Sequence, residues 1–176
     1  MSCRRYDKEC EEQKERHSYK IGTWNVRTLN RGGKLENLKT EMQKYDVSVL
    51  GVSEVRCKGQ GEIRSGDYTV YYSGGERAER GVAIVVHKGL VRSVVKIVCS
   101  DRIIALKLKV EPVSILIMQV YMPTSEYEDD EVEKCMIQLK KFLKKMGKVI
   151  QTTSYWGTGI VLLEMSHIGT LLDHMD

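Results

Sequence analysis

A chain of 176 residues and 20.2 kDa has room for about one domain around one core. Hydrophobic residues make up 41% and charged residues 30%, with 2 Pro and a mean hydropathy of -0.34, which excludes disordered, collagen-like and fibrous classes. The longest apolar stretches, such as Val113 to Met118 and Gly159 to Leu163, fall far short of the ~20 residues of a spanning helix, and a net charge of +4 favours phosphate-bearing partners only mildly.

Residues 1–19 set Arg4, Arg5, Lys8, Lys14 and Arg16 against Asp7, Glu9, Glu11, Glu12 and Glu15 without an apolar stripe, the pattern of a charged arm or a frayed, solvated helix. The same stretch lacks the apolar core of a secretory signal, so the chain is expected in a reducing compartment, nuclear or cytoplasmic. Cys3, Cys10, Cys57, Cys99 and Cys135 are odd in number and contain no Cys-x-x-Cys pair. That spacing fits neither a disulfide framework nor a zinc site and predicts free thiols.

Lys20 to Asn25 reads as a short strand. After a turn at Arg31-Gly32-Gly33, Leu35, Leu38 and Met42 recur at helical spacing within 34–45, which predicts an amphipathic helix. Val47 to Ser53 is apolar and short enough for a buried strand, and it ends against Glu54. Further strands are expected at 68–72, 81–87, 91–98, 103–110 and 113–121, parted by Gly74-Gly75, Lys88-Gly89, Ser100-Asp101 and Glu111-Pro112. Ile104, Leu106, Leu108 and Val110 alternate with Ala105, Lys107 and Lys109, predicting a half-exposed strand, whereas Val113 to Met118 predicts a buried one. After Pro123 an acidic start (Glu126, Glu128, Asp129, Asp130, Glu131, Glu133) runs to a basic end (Lys140, Lys141, Lys144, Lys145), the order a helix macrodipole favours. The expected class is α/β, with the strands of 20–121 packed in a sheet against the helix at 34–45.

Three of these strands end on a polar residue: Asn25, Glu54 and Tyr121. One carboxylate with an amide and a phenol suits a hard cation such as Mg²⁺, which takes one or two protein carboxylates and leaves its other positions to water and phosphate. A polar residue closing a strand is more often a solvated loop entry, so this pattern alone does not make a site.

The ordered set Ile21-Gly-Thr-Trp-Asn25, Val49-Leu-Gly-Val-Ser-Glu54, Gly81-Val-Ala-Ile-Val-Val86 and Val120-Tyr-Met-Pro123 resembles the endonuclease/exonuclease/phosphatase superfamily, over residues 20 to 148. In wording it is similar to the apurinic-type endonuclease domains of non-LTR retrotransposons. The resemblance implies a partial two-sheet α/β sandwich whose C-terminal portion is missing, Mg²⁺ as a cofactor bound weakly or not at all by this truncated chain, and DNA as partner. It further implies Glu54 as the metal carboxylate, Asn25 as the amide helping to hold metal and phosphate, and Tyr121 as the phenol contacting the scissile phosphate. Arg56 is a candidate phosphate ligand, because a guanidinium can pair with phosphate bidentately; the alternative is a solvated loop charge. His87 matches no catalytic histidine of the family and is expected to be structural. Two positions depart from the pattern: Arg27 stands where some apurinic endonucleases carry a second acid, and Thr124 follows Tyr-Met-Pro where many relatives have Asn.

The superfamily's later motifs, a Gly-Asp-Trp/Phe-Asn segment that orients water and a Ser-Asp-His base, do not occur in this sequence. Gly66-Asp67 lies upstream in a turn, and His167 and His174 lack the preceding Ser-Asp. All 28 Lys and Arg precede residue 149. Val149 to Asp176 can be back-translated, with synonymous codons chosen freely, so that a shift of two nucleotides reads Ile-Ile-Leu-Gly-Asp-Trp-Asn. The domain division expected is therefore a charged arm at 1–19, the N-terminal portion of the superfamily domain at 20–148, and an aberrant, frame-shifted tail at 149–176. An alternative exon would give the same break.

Three functions follow as expectations. The first is a truncated Mg²⁺-dependent DNA endonuclease or phosphodiesterase domain of retrotransposon ancestry, without activity in this chain. The second is a catalytically silent domain that binds protein or nucleic acid. The third is a chain that does not fold stably, because the second sheet would be largely absent and the first would expose an apolar face.

Overall fold

The computed structural model describes residues 19–110, 113–122, 129–146 and, as backbone, 158–165. The arm at 1–18, the Glu111-Pro112 turn, Pro123 and Thr124, and Tyr155, Trp156, His167 and His174 of the tail lie outside the described residues.

The chain runs β1 (Ile21–Asn25), α1 (Lys34–Lys44), β2 (Val49–Ser53), β3 (Gln60–Ser65), β4 (Tyr68–Ser73), β5 (Val82–His87), α2 (Lys88–Val91), β6 (Val94–Cys99), β7 (Ile103–Val110), β8 (Val113–Tyr121), α3 (Asp129–Met146) and β9 (Thr158–Met165). Five strands form one sheet in the order β1-β2-β5-β4-β3, and four form a second in the order β6-β7-β8-β9. β1 and β2 are parallel, with Asn25 opposite Ser53, so the chain needs a crossover between them, and α1 supplies it. The remaining pairings are antiparallel.

Two sheets, rather than one sheet backed by a helix, correct the simplest reading of the sequence. Val49, Val82, Ile84 and Val86 of the first sheet pack against Ile104, Leu106, Leu108 and Ile117 of the second. On the outer face of the first sheet, Leu38 and Met42 of α1 cover Leu50, Val52, Val70, Ala83 and Val85. On the outer face of the second, Cys135, Leu139 and Phe142 of α3 cover Ile103, Ala105, Leu116, Met118 and Val120. The order helix, sheet, sheet, helix buries both faces of the central strands, which is why β2 and β5 read as unbroken apolar runs. The expected partial two-sheet α/β sandwich is what forms, and the inner face of the first sheet, expected to be exposed, is covered by the second.

Three local readings change, each for its own reason. β7 is buried on both sides from Ile103 to Leu106, because α3 covers Ile103 and Ala105, and only Lys107 and Lys109 keep the half-exposed character that the alternation predicts. The strand expected from Val91 begins at Val94, since Lys88 to Val91 close into α2, capped by His87 Nδ1 accepting from the Gly89 N–H at 3.4 Å. β3 has no apolar alternation to reveal it: Gln60 to Arg64 are all exposed, and the strand exists by pairing with β4. His87 also packs edge-on against Tyr68 at 5.3 Å. β9 lies along the β8 edge, Ile160 opposite Gln119 and Leu162 opposite Ile117.

Candidate functional site

β1, β2 and β8 all point their C-terminal ends to one corner of the sandwich. Asn25 ends β1, Glu54 follows the last residue of β2, and Tyr121 ends β8. Asn25 Nδ2 donates to Glu54 Oε1 at 2.7 Å, and the Tyr121 hydroxyl donates to the same oxygen at 3.4 Å. A side chain from the second sheet and one from the first thereby converge on one carboxylate oxygen. Arg56 Nη2 stands 3.9 Å from Glu54 Oε2, close enough for attraction but too far for a hydrogen bond. All four candidate residues are therefore neighbours.

The backbone around this carboxylate is unusual for its residue types. Arg27, Glu54 and Arg56 have φ of 56°, 58° and 53°, left-handed values that cost a non-glycine residue about 1 to 2 kcal/mol each. Surrounding hydrogen bonds hold them there. Val55 N–H donates to Gly81 O at 3.2 Å, Arg56 N–H to Arg80 O at 2.9 Å, and Leu29 N–H to Val55 O at 2.9 Å. Val55 itself is fully buried and anchors the loop between the two turned residues. The Arg27 N–H donates to Asn25 Oδ1 at 3.1 Å, which fixes the amide so that its NH₂ faces Glu54.

Two further contacts reach the cluster from behind. The Thr23 hydroxyl donates to Gln119 Oε1 at 3.1 Å, from sheet to sheet. Arg102, whose side chain is 6% exposed, donates from Nη2 to Glu131 Oε2 of α3 at 2.7 Å. Its guanidinium lies 5.8 Å from the centre of the Tyr121 ring, and its carbonyl accepts the Tyr121 N–H at 2.9 Å. Arg80 Nη1 stands 3.5 Å from the same Glu131 oxygen. Sequence reading missed Arg102, Glu131, Thr23 and Gln119. A Gln inside the apolar run Ile115 to Val120, and an Arg directly before Ile103, were the available signals.

The donor set decides what the corner can hold. Asn25 turns its donor, not its oxygen, toward Glu54, so Glu54 is the one anionic ligand in the cluster. Among the described residues no group of three or more His, Cys, Asp or Glu side chains comes together. One carboxylate fits Mg²⁺, which keeps several waters and completes its shell with substrate phosphate, and does not fit a calcium or zinc cage. Cys57 is not a nucleophile candidate: burial pushes its thiol above the ordinary value, which suppresses thiolate. Beside Asn25 opens a groove of about 570 Å³ lined by Trp24, Arg27, Thr28, Lys34 and residues of α1.

Comparison with known proteins gives the same corner a context. The profile of the Endonuclease/Exonuclease/phosphatase family matches residues 22–148. Craniofacial development protein 2 of Bos taurus is 35% identical over 136 residues, covering 76% of this chain and 23% of the relative. The protein of the same name from Tragulus javanicus is also 35% identical over 136 residues, covering 76% of this chain and 24% of the relative. The match thus spans about a quarter of the length of these curated relatives.

Proposed function

The chain belongs to the Endonuclease/Exonuclease/phosphatase family, and from that premise we propose that its Asn25, Glu54 and Tyr121 corner is the metal- and phosphate-holding half of a Mg²⁺-dependent DNA phosphodiesterase site of retrotransposon ancestry, one that holds a phosphate without cutting it. The observation that carries this reading is the convergence of Asn25 and Tyr121 on Glu54 Oε1 from two different sheets. Mg²⁺, when bound, offsets the charge of a phosphate under in-line attack by water.

The chain's own residues do the rest. Glu54 would hold the cation, while Asn25 and Tyr121 donate to its Oε1 and fix the plane of the carboxylate. Tyr121 would redirect its hydroxyl hydrogen bond from Glu54 to a phosphate oxygen, a reading supported by the length of its bond to Glu54, 3.4 Å. Arg56, with its side chain 48% exposed, offers a guanidinium to the same phosphate. Without the water-orienting Gly-Asp-Trp/Phe-Asn segment and the Ser-Asp-His base, neither of which occurs in this sequence, a factor of ~10² to 10⁴ in acid/base catalysis is lost.

Nicking of supercoiled plasmid and of abasic duplex in Mg²⁺ tests the proposal, together with Mn²⁺ binding followed by electron paramagnetic resonance. The expected result is no cleavage above background, weak Mn²⁺ binding, and loss of that binding in Glu54→Ala. Robust cleavage that disappears in Glu54→Ala would overturn the silent reading, and Mn²⁺ binding indifferent to Glu54→Ala would overturn the site itself. The second reading, a nucleic-acid-binding domain, is favoured by exposed Arg27 in the groove lining and exposed Arg56 beside Glu54 and predicts salt-dependent binding of a DNA oligonucleotide. The tail from residue 149 enters this proposal as a frame-shifted stretch. Genomic sequence that reads the Gly-Asp-Trp-Asn segment in the shifted frame supports it, and an exon boundary at codon 149 refutes it.

A further inference from the structure

The inner faces of β1 and β8 each carry a row of alternate residues: Ile21, Thr23 and Asn25 on one, Ile117, Gln119 and Tyr121 on the other. Ile21, Ile117 and Tyr121 pack in the core between the sheets, so the odd-numbered residues face inward on both strands. Thr23 and Gln119 therefore stand one pleat beneath Asn25 and Tyr121, and their hydrogen bond at 3.1 Å joins the sheets directly under the corner where Glu54 is held.

Gln119 is fully buried among aliphatic side chains. Its Oε1 accepts from Thr23 and its Nε2 donates to Val120 O at 3.3 Å, so its polar cost is met inside the sandwich. An aliphatic side chain would fill that space without such a requirement. What it would not supply is direction: apolar packing between two sheets resists separation far more than sliding, because it has no preferred angle. The Tyr121 hydroxyl reaches Glu54 across the sheet gap at 3.4 Å, the outer limit of a hydrogen bond, so a slide of about 1 Å breaks it.

We propose that Thr23 and Gln119 are positioning residues, an inter-sheet clasp from exposed Thr23 of the edge strand β1 to buried Gln119 that sets the register of β8 against β1 so that Tyr121 and Asn25 meet on one oxygen of Glu54. The inference rests on the metal-site reading of Glu54 for its functional consequence and on the geometry alone for its structural one. Neither residue touches Glu54. The clasp acts through Tyr121 and Asn25, two residues along each strand.

The test uses the full chain in Thr23→Val, Gln119→Met, their double variant and Thr23→Ser. Three quantities are read: unfolding in urea, Mn²⁺ affinity, and the side-chain amide signals of Asn25 in a ¹H–¹⁵N spectrum, assigned by their loss in Asn25→Asp. The clasp predicts that the double variant folds as well as wild type, because both polar partners are replaced by groups of similar shape. It also predicts that the Asn25 amide signals move toward those of a free amide and that the Mn²⁺ Kd rises about tenfold. The double variant should be no worse than either single one, as for two residues acting as a unit, and Thr23→Ser should match wild type. Unchanged Asn25 signals in the folded double variant overturn the proposal, as does Thr23→Ser behaving like Thr23→Val, because a retained hydroxyl would then not suffice to hold the corner. Wild-type protein that binds no Mn²⁺ sinks the metal reading of Glu54, and the Asn25 signals then decide the clasp by themselves.

Discussion

Replacing Glu131 by Ala isolates the contact that ties α3 to the second sheet behind Tyr121. The Arg102 side chain is 6% exposed and Glu131 38% exposed, with Nη2 and Oε2 at 2.7 Å. Removing one partner of a fully buried ion pair costs about 3 to 5 kcal/mol, because the other charge is left desolvated. Here the carboxylate is more than a third exposed, which screens its attraction, and Arg102 keeps the face of Tyr121 at 5.8 Å. The loss expected is therefore about 2 kcal/mol, or roughly 4 to 8 °C in Tm for a chain of this size. Urea unfolding monitored by circular dichroism measures it, with the slope against urea unchanged. A second variant separates charge from packing. In Glu131→Leu combined with Arg102→Met no buried charge remains, and most of the loss should be recovered. A Glu131→Ala protein within about 0.5 kcal/mol of wild type, in the range of ordinary surface changes, refutes the reasoning, as does a double variant less stable than Glu131→Ala.

The other expectations concern the core, the strained turn and pH. Ile117→Ala, at a fully buried position between the sheets, should cost about 2 to 5 kcal/mol; a loss below ~1 kcal/mol in urea would mean that the sheets do not pack as described. Arg56→Gly removes the Cβ from a residue at φ 53° and should raise Tm slightly, by about 0.5 to 1 kcal/mol of stability, whereas a fall would show that the guanidinium contact with Glu54 outweighs the strain. Burial pushes the acid groups of Cys57, Cys135, Tyr68 and Tyr71 above their ordinary values. Their neutral forms are favoured in the fold, so this contribution to stability is present below the ordinary pKa and lost as pH rises through the raised one. Unfolding free energy should accordingly hold through neutral pH and fall above about pH 9 to 10, and urea midpoints that stay level to pH 11 would contradict it. Native Cys135, 2% exposed, should resist alkylation that peptide thiols accept at pH 8, read by mass after digestion.

Sequence periodicity by itself determined most of the elements, because an apolar side chain every second or every third to fourth residue leaves few ways to hide it. It placed α1 through Leu35, Leu38 and Met42, and the central strands through their unbroken Val and Ile runs. Ordered motifs carried the family, and strand-end position singled out Asn25, Glu54 and Tyr121. What periodicity leaves open is which face meets what. The alternation of β7 describes one solvated face, yet α3, distant in sequence, covers Ile103 and Ala105; β3 has no alternation and exists only through β4. The site shows the same division. Residue types and their order name Glu54 and its neighbours, but whether Asn25 offers oxygen or nitrogen is decided by the Arg27 N–H that takes the oxygen. Left-handed φ at Arg27, Glu54 and Arg56 has no signature in residues that ordinarily avoid it. Such a conformation persists only where long-range hydrogen bonds, here from Val55 and Arg56 to Gly81 and Arg80, hold it against its cost, and those bonds exist only once β2 and β5 have paired.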